Sequence, residues 1–93
     1  MPESILSNEK RCYVCGTTSN LHRHHIFFGT ANRKWSEKYG CWVYLCARHH
    51  NMSKAGVHSD KRLDLRLKAE CQDAFEKDHS RVEFMSIFGR TWL

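Results

Sequence analysis

Residues 46–54 read CARHHNMSK, a segment that contains a thiol, two imidazoles, an amide and an amine. Cys46 and His49 are separated by two residues, and an upstream pair, Cys12 and Cys15, has the same spacing. Two half-sites of this kind form a closed tetrahedral site, and thiolate and imidazole ligands favour zinc over magnesium. The alternative, buried apolar cysteines and a surface histidine, does not account for the paired spacing. The sequence therefore predicts a structural Zn2+ ion with four ligands: Cys12, Cys15, Cys46 and His49.

The chain has 93 residues, which is enough for one domain with a small core. A structural metal is a common way to stabilise a domain of this size. We predict an N-terminal arm over residues 1–10 that is flexible and a single domain over residues 11–93. Lys and Arg exceed Asp and Glu by 15 − 10 = 5, and the sequence pI is about 9.1. Nucleic acid is the first candidate partner for such a chain, although many small proteins are simply basic.

The N-terminal segment MPESILSNEK has no basic region followed by an apolar run. No window approaches the roughly 18 apolar residues that a membrane span needs. We therefore expect a cytoplasmic protein with no membrane partner. Thiols stay reduced in that compartment, where close cysteine pairs bind metal more often than they form disulfides. Cys71 is predicted to be a core thiol on a helix, and the role of Cys41 stays open.

A second histidine cluster lies in residues 21–28, which read LHRHHIFF and are bulky enough to predict a strand. Strand geometry sends His22 and His24 to one face and His25 to the other. A twist at the strand end could still bring His24 and His25 to one site. A lone histidine is more often solvated or hydrogen-bonded, but adjacent histidines beside a zinc knuckle favour a functional site.

Residues 32–40 predict a short helix, with Asn32 as N-cap and Gly40 at its C-terminal end. Basic and aromatic side chains alternate along it, as they would to follow a phosphate backbone. The alternative is that the aromatic residues pack on the core and the charges are solvated. Residues 41–45 predict a second strand and residues 47–55 a helix on which His50 and Lys54 share a face. A longer helix over residues 61–79, capped by Ser59 or Asp60, and a last helix after Ser80 complete the prediction.

The order Cys12-x2-Cys15, His24-His25-Ile26 and Cys46-x2-His49-His50-Asn51 resembles the HNH nucleases, a branch of the His-Me finger or ββα-metal group. The resemblance covers residues 11–55 and implies an α+β fold, a small zinc-stabilised ββα-metal unit. Residues 56–93 lie outside the shared motif and would form a helical extension. The chain looks similar to compact HNH proteins of phages and prophages, including the RecA-dependent phage recombination nucleases.

The resemblance also implies roles for individual residues. His24 and His50 match the ligands of a catalytic divalent metal, and His25 matches the general base. The family's middle Asn, which orients the base, has no direct counterpart; Asn32 is the preferred substitute and Asn51 the other. The residues that we expect to contact nucleic acid are Lys54, Arg23, Arg33, Lys34 and Lys38.

These roles lead to the hypothesis of a metal-dependent DNA endonuclease that hydrolyses phosphodiester bonds. Mg2+, Mn2+ or another divalent transition metal would serve as the catalytic cofactor beside the structural Zn2+. The alternative hypothesis is a non-catalytic zinc module on a degenerate HNH fold that binds nucleic acid or a protein. DNA is the expected partner, and a phage or host recombination or packaging protein is a candidate second partner. Oligomeric state, catalytic metal and DNA structure preference stay open at this stage.

Overall fold

Two short strands in the described part of the chain form an antiparallel sheet. The computed structural model describes residues 3–29, 31–52 and 56–93, with the backbone alone for residues 51 and 52. The elements in chain order are β1 Leu21–His25, α1 Arg33–Lys38, β2 Trp42–Cys46, a π-helical turn Arg48–Met52, α2 Lys61–Phe75 and α3 Arg81–Phe88. The described helices are all too short or too polar to cross a membrane. The prediction of an α+β fold is confirmed.

The register of the sheet brings the two predicted metal-binding segments together. Leu21 at the start of β1 pairs with Cys46 at the end of β2, and His25 pairs with Trp42. β1 ends at His25 rather than at residue 28, because both backbone groups of Phe27 bond to the hydroxyl of Ser36, at 3.2 and 2.7 Å. β2 begins one residue later than predicted and runs directly into the turn that carries His49 and His50.

The core lies between the sheet and the two C-terminal helices. Phe27, which is buried, has its ring centroid 5.3 Å from that of Phe84 and 4.4 Å from that of Phe88, both on α3. Phe84 in turn contacts Phe75 of α2, with centroids 5.4 Å apart. Aromatic pairs in this offset or edge-on range add to the free energy gained by burying their surface. The segment after the metal-binding region therefore supplies much of the core under β1.

Helix capping follows the sequence closely at three of the helix ends. The carboxylate of Asp60 accepts hydrogen bonds from the N–H groups of Arg62 and Leu63, as a good N-cap does. Ser80 caps α3 in the same way, and Gly89 ends it with φ of 84°. α2 ends at Phe75 and not at residue 79, because residues 76–79 turn back so that the ring of His79 stacks on Phe75, 4.4 Å between centroids.

The N-terminal segment, predicted to be a flexible arm, contacts the domain through Ser4 and Ile5. The buried hydroxyl of Ser4 donates to the carbonyl of Trp42, and the N–H of Ile5 donates to the carbonyl of Gly40 at 3.0 Å. Gly40 has φ of 71°, and a Cβ there would lie 2.1 Å from the carbonyl oxygen of Glu3. Glycine is thus required at residue 40 both for the end of α1 and for the approach of the arm.

Candidate metal centres

The four predicted zinc ligands lie close together, between the end of β2 and the N-terminal segment that contains Cys12 and Cys15, here called the knuckle. The potential ligand atoms of Cys12, Cys15, Cys46 and His49 all lie within 4.8 Å of one another. The Sγ atoms of Cys15 and Cys46 are 3.8 Å apart, and Nδ1 of His49 is 3.7 Å from Sγ of Cys12 and 3.3 Å from Sγ of Cys46. A tetrahedral zinc ion needs about 3.8 Å between two sulfurs and about 3.6 Å between sulfur and nitrogen. The group can therefore hold a metal ion such as zinc, as predicted.

Local backbone structure prepares the cysteine pair for the metal. Gly16, with φ of 77°, turns the chain so that its N–H donates to the carbonyl of Cys12. The knuckle is attached to β2 through a bond from the N–H of Tyr13 to the carbonyl of Tyr44 at 2.8 Å. Burial opposes ionisation of Cys12, but backbone amide hydrogen bonds outweigh it and lower the pKa of the Cys12 thiol to about 6. The thiolate that a metal requires is thus favoured at neutral pH.

A second group of ligands lies on the other side of the π-helical turn. It consists of three histidines, His24, His50 and His58, whose ring nitrogens lie within 4.8 Å of one another. Nε2 of His50 is 3.3 Å from Nε2 of His58, the separation that two imidazoles have on a tetrahedral ion with metal–nitrogen bonds of about 2.05 Å. Nε2 of His24 is buried and has no hydrogen-bond partner among the described residues. A buried imidazole nitrogen without a partner is costly, and a metal ion would satisfy it.

The protonation of the second group also suits a metal. Burial, followed by the neighbouring His50 and His58, lowers the pKa of His24 to about 3. The pKa of His50 is lowered as well, by burial and then by His58 and His22. Both rings are therefore neutral near pH 7, which is the form that coordinates metal ions.

His58 is a member of this group that the sequence analysis missed, because it lies between the helices predicted over residues 47–55 and 61–79 and was given no role. The turn after the π-helix brings His58 back: its N–H donates to the carbonyl of His50 at 3.4 Å, and the N–H of the buried Val57 donates to the carbonyl of His49 at 2.7 Å. No ligand spacing marks His58 in the sequence. The one available signal was a further histidine a short way beyond an adjacent pair.

His25 leaves the sheet on the opposite side from His24, as strand alternation requires, yet both line one cleft of about 530 Å³. The cleft is lined by the three clustered histidines, His25 and two arginines, Arg23 and Arg33. His24 and His25 thus lie at one cleft near the end of β1.

The partner of His25 is an acidic residue that the sequence analysis did not consider. Nε2 of His25 lies 2.5 Å from Oε2 of Glu37, and Nη1 of Arg23 lies 3.3 Å from the other oxygen of that carboxylate. Asn32 was preferred for this role, but the structure has no hydrogen bond between Asn32 and His25. Asn32 stands at the N-cap of α1, whereas Glu37 lies on the next turn, facing β1. The side chain of Asn51, the other substitute, lies outside the described part of the chain.

Of the basic residues predicted to contact nucleic acid, only some line this cleft. Arg23 and Arg33 line the cleft, whereas the ammonium groups of Lys34 and Lys38 lie over the Trp35 ring, 4.9 and 5.4 Å from its centroid. Trp35 packs against the core, as the alternative interpretation of this helix required. Lys54 lies outside the described residues.

The two candidate centres differ in what they can do. The first has four ligands and is closed, whereas the second has three and opens into a cleft with two cationic side chains. Three ligands leave a bound ion with an open coordination position, the arrangement typical of catalytic rather than structural sites. Comparison of the chain with protein-family models, with curated proteins and with solved structures finds no match. A functional proposal therefore rests on the geometry of the two centres and on the spacing of the sequence motifs.

Proposed function

We propose that the protein is a metal-dependent DNA endonuclease of the HNH type, with His25 as the general base. The observation that carries the proposal is the position of His25 in the same cleft as the three-histidine group, whose buried His24 nitrogen has no other partner among the described residues. The order of β1, β2 and the π-helical turn agrees with the two strands and the helix of a ββα-metal unit. The resemblance to the HNH nucleases implies this chain order of two strands followed by a helix.

The metal would be held by His24, His50 and His58. A divalent ion there would supply positive charge to the phosphate oxygen on which negative charge develops. Three imidazole ligands favour Mn2+, Co2+, Ni2+ or Zn2+ over Mg2+. Since the first centre would hold one zinc ion and the second would hold another divalent ion, the proposal requires two metal ions per chain.

The proton transfer is assigned to His25 and Glu37. A carboxylate can only accept a hydrogen bond, so the 2.5 Å contact with Glu37 favours the tautomer with hydrogen on Nε2 of His25. Nδ1 then has a free lone pair and can take a proton from the attacking water. The negative charge of Glu37 also stabilises the imidazolium that forms, as a carboxylate does beside other catalytic histidines.

DNA as the substrate is supported by charge. The net charge is +5, and Arg33, which is exposed, lies at the edge of the cleft beside Arg23. Guanidinium groups bind phosphate oxygens through paired hydrogen bonds. A domain of this size has little surface for reading base edges, so we expect weak sequence specificity.

The test is a nicking assay on supercoiled plasmid, with zinc-loaded protein in Mg2+, Mn2+ or EDTA, beside His50→Ala. We expect nicking that depends on the added metal and that His50→Ala reduces by at least about 100-fold, because that variant loses one of the three ligands of the second centre. Zinc content of one ion per chain in His50→Ala would show that the first centre is intact. DNA binding without nicking under any metal would overturn the proposal and favour the non-catalytic zinc module.

A second prediction concerns Glu37. Glu37→Gln should lower the nicking rate by about 100-fold, because an amide neither selects the tautomer nor stabilises the imidazolium of His25. The metal content should not change, since Glu37 does not belong to either ligand group. Glu9→Gln is the matched control: it removes the same charge from an exposed carboxylate that pairs with Arg11. Equal rates for Glu37→Gln and Glu9→Gln would show that Glu37 has no part in the reaction.

A further inference from the structure

Two histidines of β1, His22 and His25, belong neither to the zinc group (Cys12, Cys15, Cys46 and His49) nor to the three-histidine group. Of these two, His22 has no part in the proposed reaction. We propose that His22 is a positioning residue of the second metal centre, which holds the ring and the tautomer of His50 through a hydrogen bond between their Nδ1 atoms. The inference rests on the metal-binding part of the proposed function and does not depend on DNA cleavage.

The geometry of His50 separates its two ring nitrogens. Its Nε2 faces the ligand group, 3.3 Å from Nε2 of His58, and its Nδ1 lies 3.0 Å from Nδ1 of His22. The rings of His22 and His50 are nearly perpendicular, with an interplanar angle of 85° and centroids 5.1 Å apart. Because His22 precedes His24 by two residues on β1, the strand places both on the face that meets the π-helical turn.

The chemistry of this contact determines which nitrogen of His50 has the proton. Coordination through Nε2 requires a lone pair on that atom, so a neutral His50 has its hydrogen on Nδ1. Nδ1 of His22 must then accept the hydrogen bond, and the hydrogen of His22 stays on its own Nε2. A hydrogen bond of this kind fixes the ring plane and makes the coordinating nitrogen more basic. Loss of such a partner typically weakens metal binding by about 10- to 100-fold.

The position of His50 makes this support necessary. His50 directly follows His49, whose ring belongs to the zinc group, and the two rings must serve different metals from one π-helical turn. The backbone therefore cannot be adjusted for one ring without moving the other. A side-chain hydrogen bond from β1 orients His50 without changing the turn.

The experiment measures metal affinity directly. Zinc-loaded protein is titrated with Co2+, and the visible absorption of the cobalt ion reports occupancy of the second centre. We expect His22→Phe, which keeps a ring but has no acceptor, to weaken cobalt binding by about 10- to 100-fold. In His22→Asn the side-chain oxygen can accept in place of Nδ1, so affinity should return to within a few-fold of the original protein.

His79→Asn is the matched control, because His79 contacts Glu83 and belongs to neither ligand group. One zinc per chain in every variant confirms that the fold is retained. Unchanged cobalt affinity in His22→Phe would overturn the inference, and so would a loss that His22→Asn fails to restore, since His22 would then be a ligand itself. Failure of the original protein to bind Co2+ would also overturn it. Cobalt binding that follows this pattern without any nicking would support the inference while the nuclease proposal fails.

Discussion

Replacement of His25 by alanine is expected to lower the rate of plasmid nicking by about 100- to 10,000-fold, the usual contribution of a positioned general base. Among the described residues that line the cleft, the titratable side chains are two arginines, the three clustered histidines and His25. The arginines stay protonated and the clustered histidines would bind the metal, so His25 is the residue that can act as base. Its contact with Glu37 leaves Nδ1 available for the proton of the water. Without the imidazole, water would have to attack unassisted while the metal and the phosphate stay in place.

Metal content separates this effect from damage to the centres. His25→Ala should retain one zinc per chain and unchanged Co2+ affinity at the second centre, because His25 is not among the clustered ligands. His79→Ala, at a histidine between α2 and α3 that belongs to neither ligand group, should nick at the original rate. Persistent nicking by His25→Ala would place the base elsewhere, and loss of the second metal would make His25 a ligand instead of a base.

Two features could be predicted because they depend only on spacing along the chain. They are the four ligands of the zinc group and the face of β1 on which the His24 side chain lies. Two residues between ligands, in Cys12-x2-Cys15 and in Cys46-x2-His49, produce a half-site almost regardless of the surroundings. Strand alternation likewise separates His24 from His25 without any tertiary information. Helix caps such as Asp60 and Ser80 act within one turn, so their residue types were sufficient.

The parts that sequence reasoning missed depend on contacts between distant segments. His58 reaches the second group through a turn stabilised by the buried Val57, and Glu37 reaches His25 because α1 packs beside β1. Neither residue has a spacing that distinguishes it from an ordinary surface histidine or glutamate. The N-terminal arm was predicted to be flexible since its composition is polar, but the hydroxyl of the buried Ser4 donates to the carbonyl of Trp42 at the start of β2.

The adjacency of His49 and His50 connects the two centres. The carbonyl of His49 accepts from Val57 and that of His50 accepts from His58, so the π-helical turn determines where the third ligand lies. A zinc ion bound to Cys46, at the end of β2, and to His49, within the turn, would fix the start of that turn against the strand. The second centre should therefore form only when the first is filled.

Loss of the structural zinc is accordingly expected to abolish the cooperative fold. Zinc binding to sites of this kind contributes about 10–16 kcal/mol, which is comparable to or larger than the roughly 5–15 kcal/mol stability of a whole small domain. Cys46→Ala should lower the free energy of unfolding by about 5 kcal/mol or more, because it removes one ligand and loosens the other three. Thermal unfolding followed by circular dichroism should show no sharp transition, and Co2+ binding at the second centre should be lost with it.

Cys71→Ala is the matched control, because both thiols are buried and only Cys46 belongs to a ligand group. Cys71 packs in the core on α2, where contact with the Cys41 thiol and burial raise the pKa of Cys71 well above its usual value, so it is a neutral thiol. Its truncation should cost only about 1–2 kcal/mol and leave the zinc content unchanged. If the two variants unfold with equal midpoints, the aromatic core around Phe27 is sufficient without the metal. If Cys46→Ala alone loses the transition, the zinc is what makes a chain of this length fold.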